Sequence, residues 1–151
     1  MSAELEKPYS GAFIGASHCF ALRVYIEDTD LGGVVYHANY LRFMERARSD
    51  LLRSLDIDQK AAFERGEGIY AVTEMHVKFC RSARFDDELI ILSRLEELRG
   101  ASCVIHQQIL RGRELILEAS VTAAFLNPKG RPRRQPAEWV KKFEGVKSKT
   151  D

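Results

Sequence analysis

Several features that would assign this 151-residue chain to a specialised class of protein are scarce or missing. No apolar run approaches the roughly 20 residues that a membrane-spanning helix needs. The first residues lack the basic and apolar regions of a secretory signal, so we expect none. The three cysteines, Cys19, Cys80 and Cys103, have no metal-ligand spacing, and their odd number argues against a disulfide framework. These absences predict a cytoplasmic protein with no membrane span and no bound metal.

Charge of one sign is also missing, because the formal net charge is only +1. A nucleic-acid-binding protein is usually more basic and carries aromatic stacking motifs, so we expect no nucleic-acid partner. The charge is uneven, however, since residues 129–134 read Lys-Gly-Arg-Pro-Arg-Arg. Such a run is most often solvated, and the alternative is that it assists in binding phosphate groups.

The hydrophobic pattern predicts one α+β domain over residues 18–145, preceded by a mobile lead-in (1–17) and followed by a polar tail (146–151). A strand is expected at 18–27 and a long amphipathic helix from Asn39, its proposed N-cap, to Leu55. The apolar positions of that helix are Tyr40, Leu41, Met44, Ala47, Leu51, Leu52 and Leu55. A polar connector (56–68) should lead into antiparallel strands at 69–79, 88–98, 102–110 and 115–125, and then a short helix at 136–143. The strand at 88–98 is apolar on both faces, which is typical of a central or interface strand.

The segment 27–48 contains the strongest chemical signal in the chain. It places three acidic residues, Glu27, Asp28 and Asp30, within four positions, followed by Gly32-Gly33, Tyr36-His37 and the predicted helix. The loop can therefore bring a carboxylate and an imidazole to a helix N-terminus, where free backbone N–H groups and the positive end of the dipole lie. A carbonyl substrate that develops negative charge on its oxygen needs that combination.

Three segments resemble one family closely. They are residues 23–48, which contain Asp28-Thr29-Asp30-Leu31-Gly32-Gly33; residues 83–89, Ala-Arg-Phe-Asp-Asp-Glu-Leu; and residues 98–102, Leu-Arg-Gly-Ala-Ser. They are similar to the hot-dog-fold acyl-CoA thioesterases, in particular the YbgC-type, Tol-Pal-associated enzymes related to 4-hydroxybenzoyl-CoA thioesterase. The resemblance implies a curved antiparallel sheet wrapped around one long central helix. The chain departs from the family at Ile26, where some members have Tyr, and at Ser82, where proline is common.

The resemblance implies that Asp30 is the catalytic carboxylate, acting as a nucleophile or as a general base. It also implies that His37 assists, that Gly33, Val35 and Tyr36 surround the substrate, and that Arg99 and Ser102 contact the phosphates of coenzyme A. Backbone N–H groups near Val35, Tyr36 and the helix start are candidate oxyanion donors. Without the motif, Asp30 would be interpreted as a turn or helix cap, and Arg99 as a solvated hairpin residue.

Other charged residues have mainly structural interpretations. We expect Asp28 to bond its own loop, with metal binding as the less favoured alternative because no second ligand cluster appears. Arg84 is expected to order its loop through an ion pair. His18, His76 and His106 fall in strand patterns and are expected to be half-buried.

The predicted function is hydrolysis of an acyl-CoA to a free acid and CoA, with no cofactor. The partners expected are the acyl-CoA, an acyl carrier protein as an alternative carrier, and further copies of this chain in a homodimer or homotetramer. The alternative from a different class is a non-catalytic hot-dog module that binds acyl chains or acyl carrier protein in an envelope-associated complex. RNA binding through residues 129–134 is a weaker third possibility.

Overall fold

A computed structural model describes residues 6–147, and within them the chain forms a six-stranded antiparallel sheet with one long helix on it. The strands are β1 (Ala12–Ile14), β2 (Ser17–Arg23), β3 (Ile69–Phe79), β4 (Glu88–Leu98), β5 (Ser102–Arg111) and β6 (Glu114–Leu126). The helices are α1 (Asn39–Ser54), α2 (Gln59–Glu64) and α3 (Ala137–Val146), and a 3₁₀ turn spans Ile26–Asp28. The strand order across the sheet is β1-β2-β4-β5-β6-β3. This arrangement confirms the predicted α+β hot-dog architecture.

Helix α1 lies on the sheet because its apolar stripe matches the inner face of the strands. Its side chains Phe43, Met44 and Ala47 are fully buried. The core they enter is completed from the sheet by Leu89, Ile91, Ile109, Ile116, Leu117 and Val121. Burial of one such large side chain stabilises the fold by about 1.5–3 kcal/mol, so the stripe fixes the rotation of α1 about its axis.

The predicted bounds of the long helix are confirmed to within one residue, but its first turn differs. Asn39 is the first helical residue and Ala38 is the N-cap, without a side-chain capping bond. The Asn39 side chain instead donates to Asp28 Oδ1 at 2.6 Å. The apolar stripe also includes Phe43, which the predicted set omitted.

Three predicted segments differ from the structure. The strand expected at 18–27 ends at Arg23, because the chain turns into the 3₁₀ turn. The connector 56–68 contains α2, whose N-cap Asp58 accepts a bond from the Ala61 N–H. The lead-in predicted as mobile contains β1, which pairs with β2; its residues 1–5, and residues 148–151 of the predicted tail, lie outside the described part of the chain.

Strand β4 is in the interior of the sheet, whereas strand β3 is at an edge with exposed apolar side chains. Strand β4 lies between β2 and β5, so its predicted central position is confirmed. Strand β3 is at one edge and pairs only with β6 among the described strands. Its apolar residues Ile69, Val72 and Phe79 are each about half exposed. A long edge strand with exposed apolar side chains favours pairing with another chain.

His18 is not half-buried as predicted, because its side chain is fully buried against α1. Its Nε2 lies 2.8 Å from Asp50 Oδ2, and the same carboxylate oxygen accepts the Gly11 N–H at 2.9 Å. This cluster joins β2 and the residues before β1 to the C-terminal half of α1. His106 is half-buried beside Glu118, as expected, whereas His76 is exposed.

The burial of His18 generates a prediction about stability at acid pH. Burial lowers the pKa of His18 from its usual value, and the bond to Asp50 opposes this only in part. Below about pH 6.5 the unfolded chain therefore binds a proton at His18 more readily than the folded chain does. The contribution of His18 to the free energy of unfolding is complete above that pH and declines as the pH falls. We expect Tm to fall between pH 7 and pH 5.5, by about 2–4 °C for each kcal/mol lost.

Thermal unfolding of His18→Gln, which does not titrate, should show a smaller decline over the same pH range. The exposed His76→Gln is the control and should follow the wild-type decline. An identical decline in the wild type and His18→Gln would show that His18 is not the group responsible.

Candidate active site

The loop between β2 and α1 is held by the carboxylate of Asp28. This residue is 6% exposed, and both of its side-chain oxygens are bonded. Oδ2 accepts the Tyr25 N–H at 2.8 Å and Oδ1 accepts the Asn39 side-chain amide at 2.6 Å. The Asp28 carbonyl also accepts the Tyr36 N–H at 2.9 Å. Asp28 therefore joins the 3₁₀ turn to the start of α1, and its predicted structural role is confirmed.

Asp30 lies two residues later, in a tight turn that leaves it exposed. The Gly33 N–H donates to the Asp30 carbonyl and the Asp30 N–H to the Val34 carbonyl, each at 3.0 Å. The Gly32 N–H donates to Oδ1 of Asp30 at 2.9 Å. This side-chain bond restricts the rotamer of Asp30, while Oδ2 has no protein partner within residues 6–147. The turn thus presents one oriented carboxylate oxygen to solvent.

Gly33 makes this turn possible because its φ is +77°. A type I turn followed by a left-handed residue is a common short connection between antiparallel strands. Here the turn closes the isolated pair Thr29–Val35, and a second isolated pair, Val34–Arg84, connects the loop to the segment before β4. Side chains other than glycine are strained in that backbone conformation.

The turn is fixed to the rest of the protein through residues 83–87, just before β4. The Val35 N–H donates to the Ala83 carbonyl at 2.8 Å, and the Ala83 N–H donates to the Tyr40 hydroxyl at 2.9 Å. The ion pair expected at Arg84 is wrong: the Arg84 backbone N–H bonds Asp87, and Arg111 pairs with that carboxylate at 2.7 Å. Sequence patterns did not indicate Arg111, because it lies on another strand.

Aromatic rings pack around His37, just before α1. His37 is exposed and its ring makes edge contacts with Tyr36 at 4.6 Å and with Phe79 at 6.4 Å between centroids. Within the described residues it has no hydrogen bond to Asp30. Burial raises the pKa of Tyr40, and the negative charge of Asp30 is a smaller contribution in the same direction. Asp30 is therefore close enough to Tyr40 to act on it electrostatically.

Free backbone donors lie at the start of α1 and not in the turn. The N–H groups of Gly33, Val35 and Tyr36 already bond Asp30, Ala83 and Asp28 respectively. Of the candidate donors predicted near Val35, Tyr36 and the helix start, the N–H groups of Val35 and Tyr36 themselves are therefore not available, and Val35 is buried in the core. Within the described chain, the N–H groups of His37, Ala38 and Tyr40 have no protein acceptor. These groups lie at the positive end of the helix dipole and can stabilise an oxyanion.

The structure does not bring Arg99 and Ser102 to Asp30. They flank the turn after β4, whereas the Asp30 turn contacts the residues before β4. With 11 residues at about 3.4 Å each, β4 separates the two ends by roughly 30–35 Å. Arg99 is exposed and its guanidinium is held by Glu97 at 2.9 and 3.0 Å.

The basic run lies at the same end as Arg99. Gln135 is buried and connects the two segments: its N–H donates to the Gly100 carbonyl and its side-chain amide to the carbonyls of Arg99 and Ser102. Arg133 donates to the Glu67 carbonyl at 2.7 Å. One end of the sheet therefore carries Asp30 and His37, and the other carries the cations Arg99, Lys129, Arg131, Arg133 and Arg134.

Comparison with known proteins shows the family to which the chain is related. The family model of the Thioesterase-like superfamily matches residues 24–144. Acyl-CoA thioesterase YbgC of Haemophilus influenzae is 36% identical over 129 residues, which cover 85% of this chain and 95% of that protein. A solved structure named "Probable Thioesterase from Bartonella henselae" is 40% identical with a TM-score of 0.76, and the match covers 80% of this chain and 99% of that one.

A more distant structure shows the same fold. It is a 4-hydroxybenzoyl-CoA thioesterase in which an aspartate is replaced by asparagine, in complex with 4-hydroxybenzoyl-CoA. It is 22% identical with a TM-score of 0.77, and the match covers 84% of this chain and 98% of that one. At this identity the likeness concerns the fold alone.

The turn that carries Asp30 generates a prediction about Gly33. Gly33→Ala meets no atom within 4 Å of the added Cβ, so its cost comes only from the positive φ. We expect the free energy of unfolding in urea to fall by about 1–2 kcal/mol. Gly100→Ala is the matched control, since its added Cβ is also in open space and its φ is not positive. Equal stability of the two variants would contradict the backbone assignment of the turn.

Proposed function

This chain belongs to the Thioesterase-like superfamily and is a thioester hydrolase, and we propose that it hydrolyses acyl-CoA to a free acid and CoA with Asp30 as the catalytic carboxylate. The observation that carries the proposal is the free Oδ2 of Asp30, whose charge acts on Tyr40 in the first turn of α1, where three backbone N–H groups have no protein acceptor in the described chain. The relatives named for acyl-CoA support the choice of substrate class.

Asp30 can act in two ways, and both remain within the proposal. As a nucleophile, Oδ2 attacks the thioester carbonyl, the CoA thiolate leaves, and water hydrolyses the resulting anhydride to the free acid. As a general base, Asp30 takes a proton from water, which attacks the carbonyl directly. In both routes negative charge develops on the carbonyl oxygen, and the N–H groups of His37, Ala38 and Tyr40 are the proposed donors to it.

His37 is proposed to assist by orienting the substrate or a water molecule. Its exposed ring contacts Tyr36 and Phe79, so these aromatic residues hold its position beside the loop. The exposed Tyr36 side chain and the Gly33 backbone are proposed to form part of the substrate-binding surface. A leaving thiolate needs little help from an acid, since an ordinary thiol has a pKa of about 8.5.

The position of Arg99 supports a site shared between two subunits. If Arg99 and Ser102 bind the CoA phosphates, they cannot serve Asp30 of their own chain across roughly 30–35 Å. A two-fold axis at the edge strand β3 would pair this strand antiparallel with the β3 strand of a partner. The end of one sheet that carries Asp30 would then lie beside the end of the partner's sheet that carries the cations. We propose a homodimer formed through β3, with pairing of dimers into a tetramer as the next level of assembly.

Three further features of the proposal concern the setting of the enzyme. An acyl carrier protein is the alternative carrier of the acyl group. The three cysteines are free, which supports a reducing cytoplasmic location. No helix among residues 6–147 is long and apolar enough to cross a membrane. Association with the Tol-Pal envelope system is proposed on the resemblance alone.

The role of Asp30 is tested by Asp30→Asn, which keeps the shape of the side chain and its bond from the Gly32 N–H. We expect kcat for an acyl-CoA to fall by at least about a hundredfold, because the charge that attacks or accepts the proton is removed. Asp56→Asn is the control, since Asp56 is exposed and distant from the loop, and its turnover should not change.

Hydrolysis should be measured across a panel of acyl-CoA chain lengths, with folding checked by circular dichroism. Wild-type turnover in a folded Asp30→Asn protein would eliminate the assignment. Saturable acyl-CoA binding without hydrolysis by the wild type would favour the non-catalytic alternative.

The shared site is tested with Arg99→Ala. We expect KM for acyl-CoA to rise about tenfold with little change in kcat, and hydrolysis of an acyl-pantetheine to be unaffected, because that substrate lacks the nucleotide phosphates. Asp30→Asn and Arg99→Ala chains are then unfolded together and refolded. Half of the refolded dimers contain one chain of each variant. In a mixed dimer one of the two shared sites has both Asp30 and Arg99, so about a quarter of the wild-type kcat/KM should return at low substrate concentration.

Activity equal to the mean of the two parent proteins would show that both residues act within one chain. Equal damage by Arg99→Ala with both substrates would show that Arg99 is structural. Light scattering at the assay concentration supplies the mass, and a fully active monomer would rule out the shared site.

A further inference from the structure

A cavity of about 290 Å³ lies between the middle of α1 and the sheet, away from the Asp30 loop. Its wall is mostly apolar and includes Leu52, Ile105, Ala123 and Phe143, and it reaches β3 at Tyr70 and Val72. The volume is at the lower end of the range for small-molecule pockets, about 300 Å³. The proposed reaction assigns no role to this space.

The cavity contains one cation, Arg48 of α1. Arg48 is mostly buried, and burial lowers the pKa of its guanidinium, although an arginine stays charged at neutral pH. One guanidinium nitrogen donates to Gln107 Oε1 at 3.0 Å. Within residues 6–147 Arg48 has no carboxylate within 4.0 Å and no other acceptor. A mostly buried guanidinium with several unused donors is costly unless an anion completes its bonding.

Gln107 fixes the direction of the Arg48 side chain. Gln107 is fully buried, and its amide NH₂ donates to the Met44 carbonyl at 3.1 Å and to the Ser93 hydroxyl at 2.9 Å. Those two bonds occupy both amide hydrogens, so Oε1 can only face Arg48. The guanidinium is therefore held in place by a neutral partner, which does not offset its charge.

Glu45 is the nearest source of negative charge, one turn before Arg48 on α1. It lines the same cavity, but it is exposed and makes no ion pair with Arg48 in the described structure. Solvent screens its charge more effectively than that of a group inside the cavity. A carboxylate that enters the cavity can contact two guanidinium nitrogens at once, which is the arrangement arginine favours.

The cavity is separate from the catalytic loop. Arg48 is eight positions after Tyr40, the residue of α1 on which the charge of Asp30 acts, and this corresponds to about 12 Å along the axis of α1. A thioester carbonyl carries no charge for Arg48 to recognise, whereas a carboxylate on an apolar body matches both the cation and the wall.

We propose that this cavity binds a carboxylate carried on an apolar body, with the carboxylate on Arg48 and the body against Leu52, Ile105 and Phe143. Such a group has two sources. One is a free carboxylic acid, the class of product that the proposed reaction releases. The other is the distal carboxylate of a dicarboxylic acyl thioester. Binding itself does not depend on the proposed role of Asp30, so it can be measured without turnover.

The test compares octanoate with its neutral isostere octanamide. The single tryptophan, Trp139, packs on Tyr70 at 6.0 Å between ring centroids, so its fluorescence should report occupation of the cavity. We expect octanoate to bind saturably and at least about tenfold more tightly than octanamide. Asp30→Asn should bind octanoate as the wild type does, which separates this proposal from the one about catalysis.

Arg48→Met removes the charge but keeps the length, and it should abolish the preference for octanoate. Arg48→Lys keeps a charge without the planar guanidinium and should retain a reduced preference for octanoate. This second variant remains informative if Arg48→Met fails to fold. Arg53→Met, on the same helix and outside the cavity, is the control and should keep the full preference.

Equal binding of octanoate and octanamide by the wild type, or a preference that survives in Arg48→Met, would overturn the proposal. Dissociation of the oligomer by Arg48→Met, measured by light scattering, would also overturn it, because Arg48 would then serve a subunit contact next to β3. The two sources are distinguished by hydrolysis of octanoyl-CoA and of suberyl-CoA. If the wild type prefers suberyl-CoA and Arg48→Met removes that preference, the ligand is the distal carboxylate of the substrate. If the wild type shows no such preference, the ligand is the free acid.

Discussion

The carboxylate of Asp28 is the constraint on which the rest of the site depends. It is nearly inaccessible to solvent, and it accepts bonds from the Tyr25 backbone and the Asn39 side chain. These bonds fix the distance between the 3₁₀ turn and α1, and so they fix where the exposed turn with Asp30 begins. Removal of a buried, fully bonded carboxylate leaves its partners unsatisfied, at about 1–3 kcal/mol for each group. Asp28 is therefore buried and holds the loop, whereas Asp30, two residues later, is exposed and keeps one carboxylate oxygen free.

Helices and strands whose apolar residues recur at a regular spacing could be predicted from the sequence. Features that depend on contacts between distant segments could not. The period of α1 gave its bounds to within one residue, and the alternating strands β3 to β6 were located well. The short helix α2 and strand β1 have too few residues for a period to appear. His18 was assigned to an ordinary strand position because its partner Asp50 is 32 residues away.

The candidate site was predicted in a similarly uneven way. The motif located Asp30, and the local bonds of the turn are consistent with an available carboxylate. Among the candidate donors, the Val35 N–H is not available because it bonds Ala83, a residue of a different segment. Arg99 and Asp30 lie in two segments that both carry the family resemblance, yet β4 holds them apart. The sequence motifs did not indicate this separation. It depends on the end of β4 at which each of the two turns lies.

The bonds that hold the Asp30 turn connect residues far apart in the sequence. Val35 and Tyr40 both bond Ala83, and the Val24 N–H bonds the Asp87 carbonyl, across 43 to 63 residues. A ribosome must therefore deliver the chain beyond residue 87 before this loop can take its final shape, however early its own residues emerge. Contacts of long sequence separation form late because closing the intervening chain costs entropy. The segment that identifies the family would thus be unstructured as an isolated peptide, and catalytic competence is acquired only with the sheet.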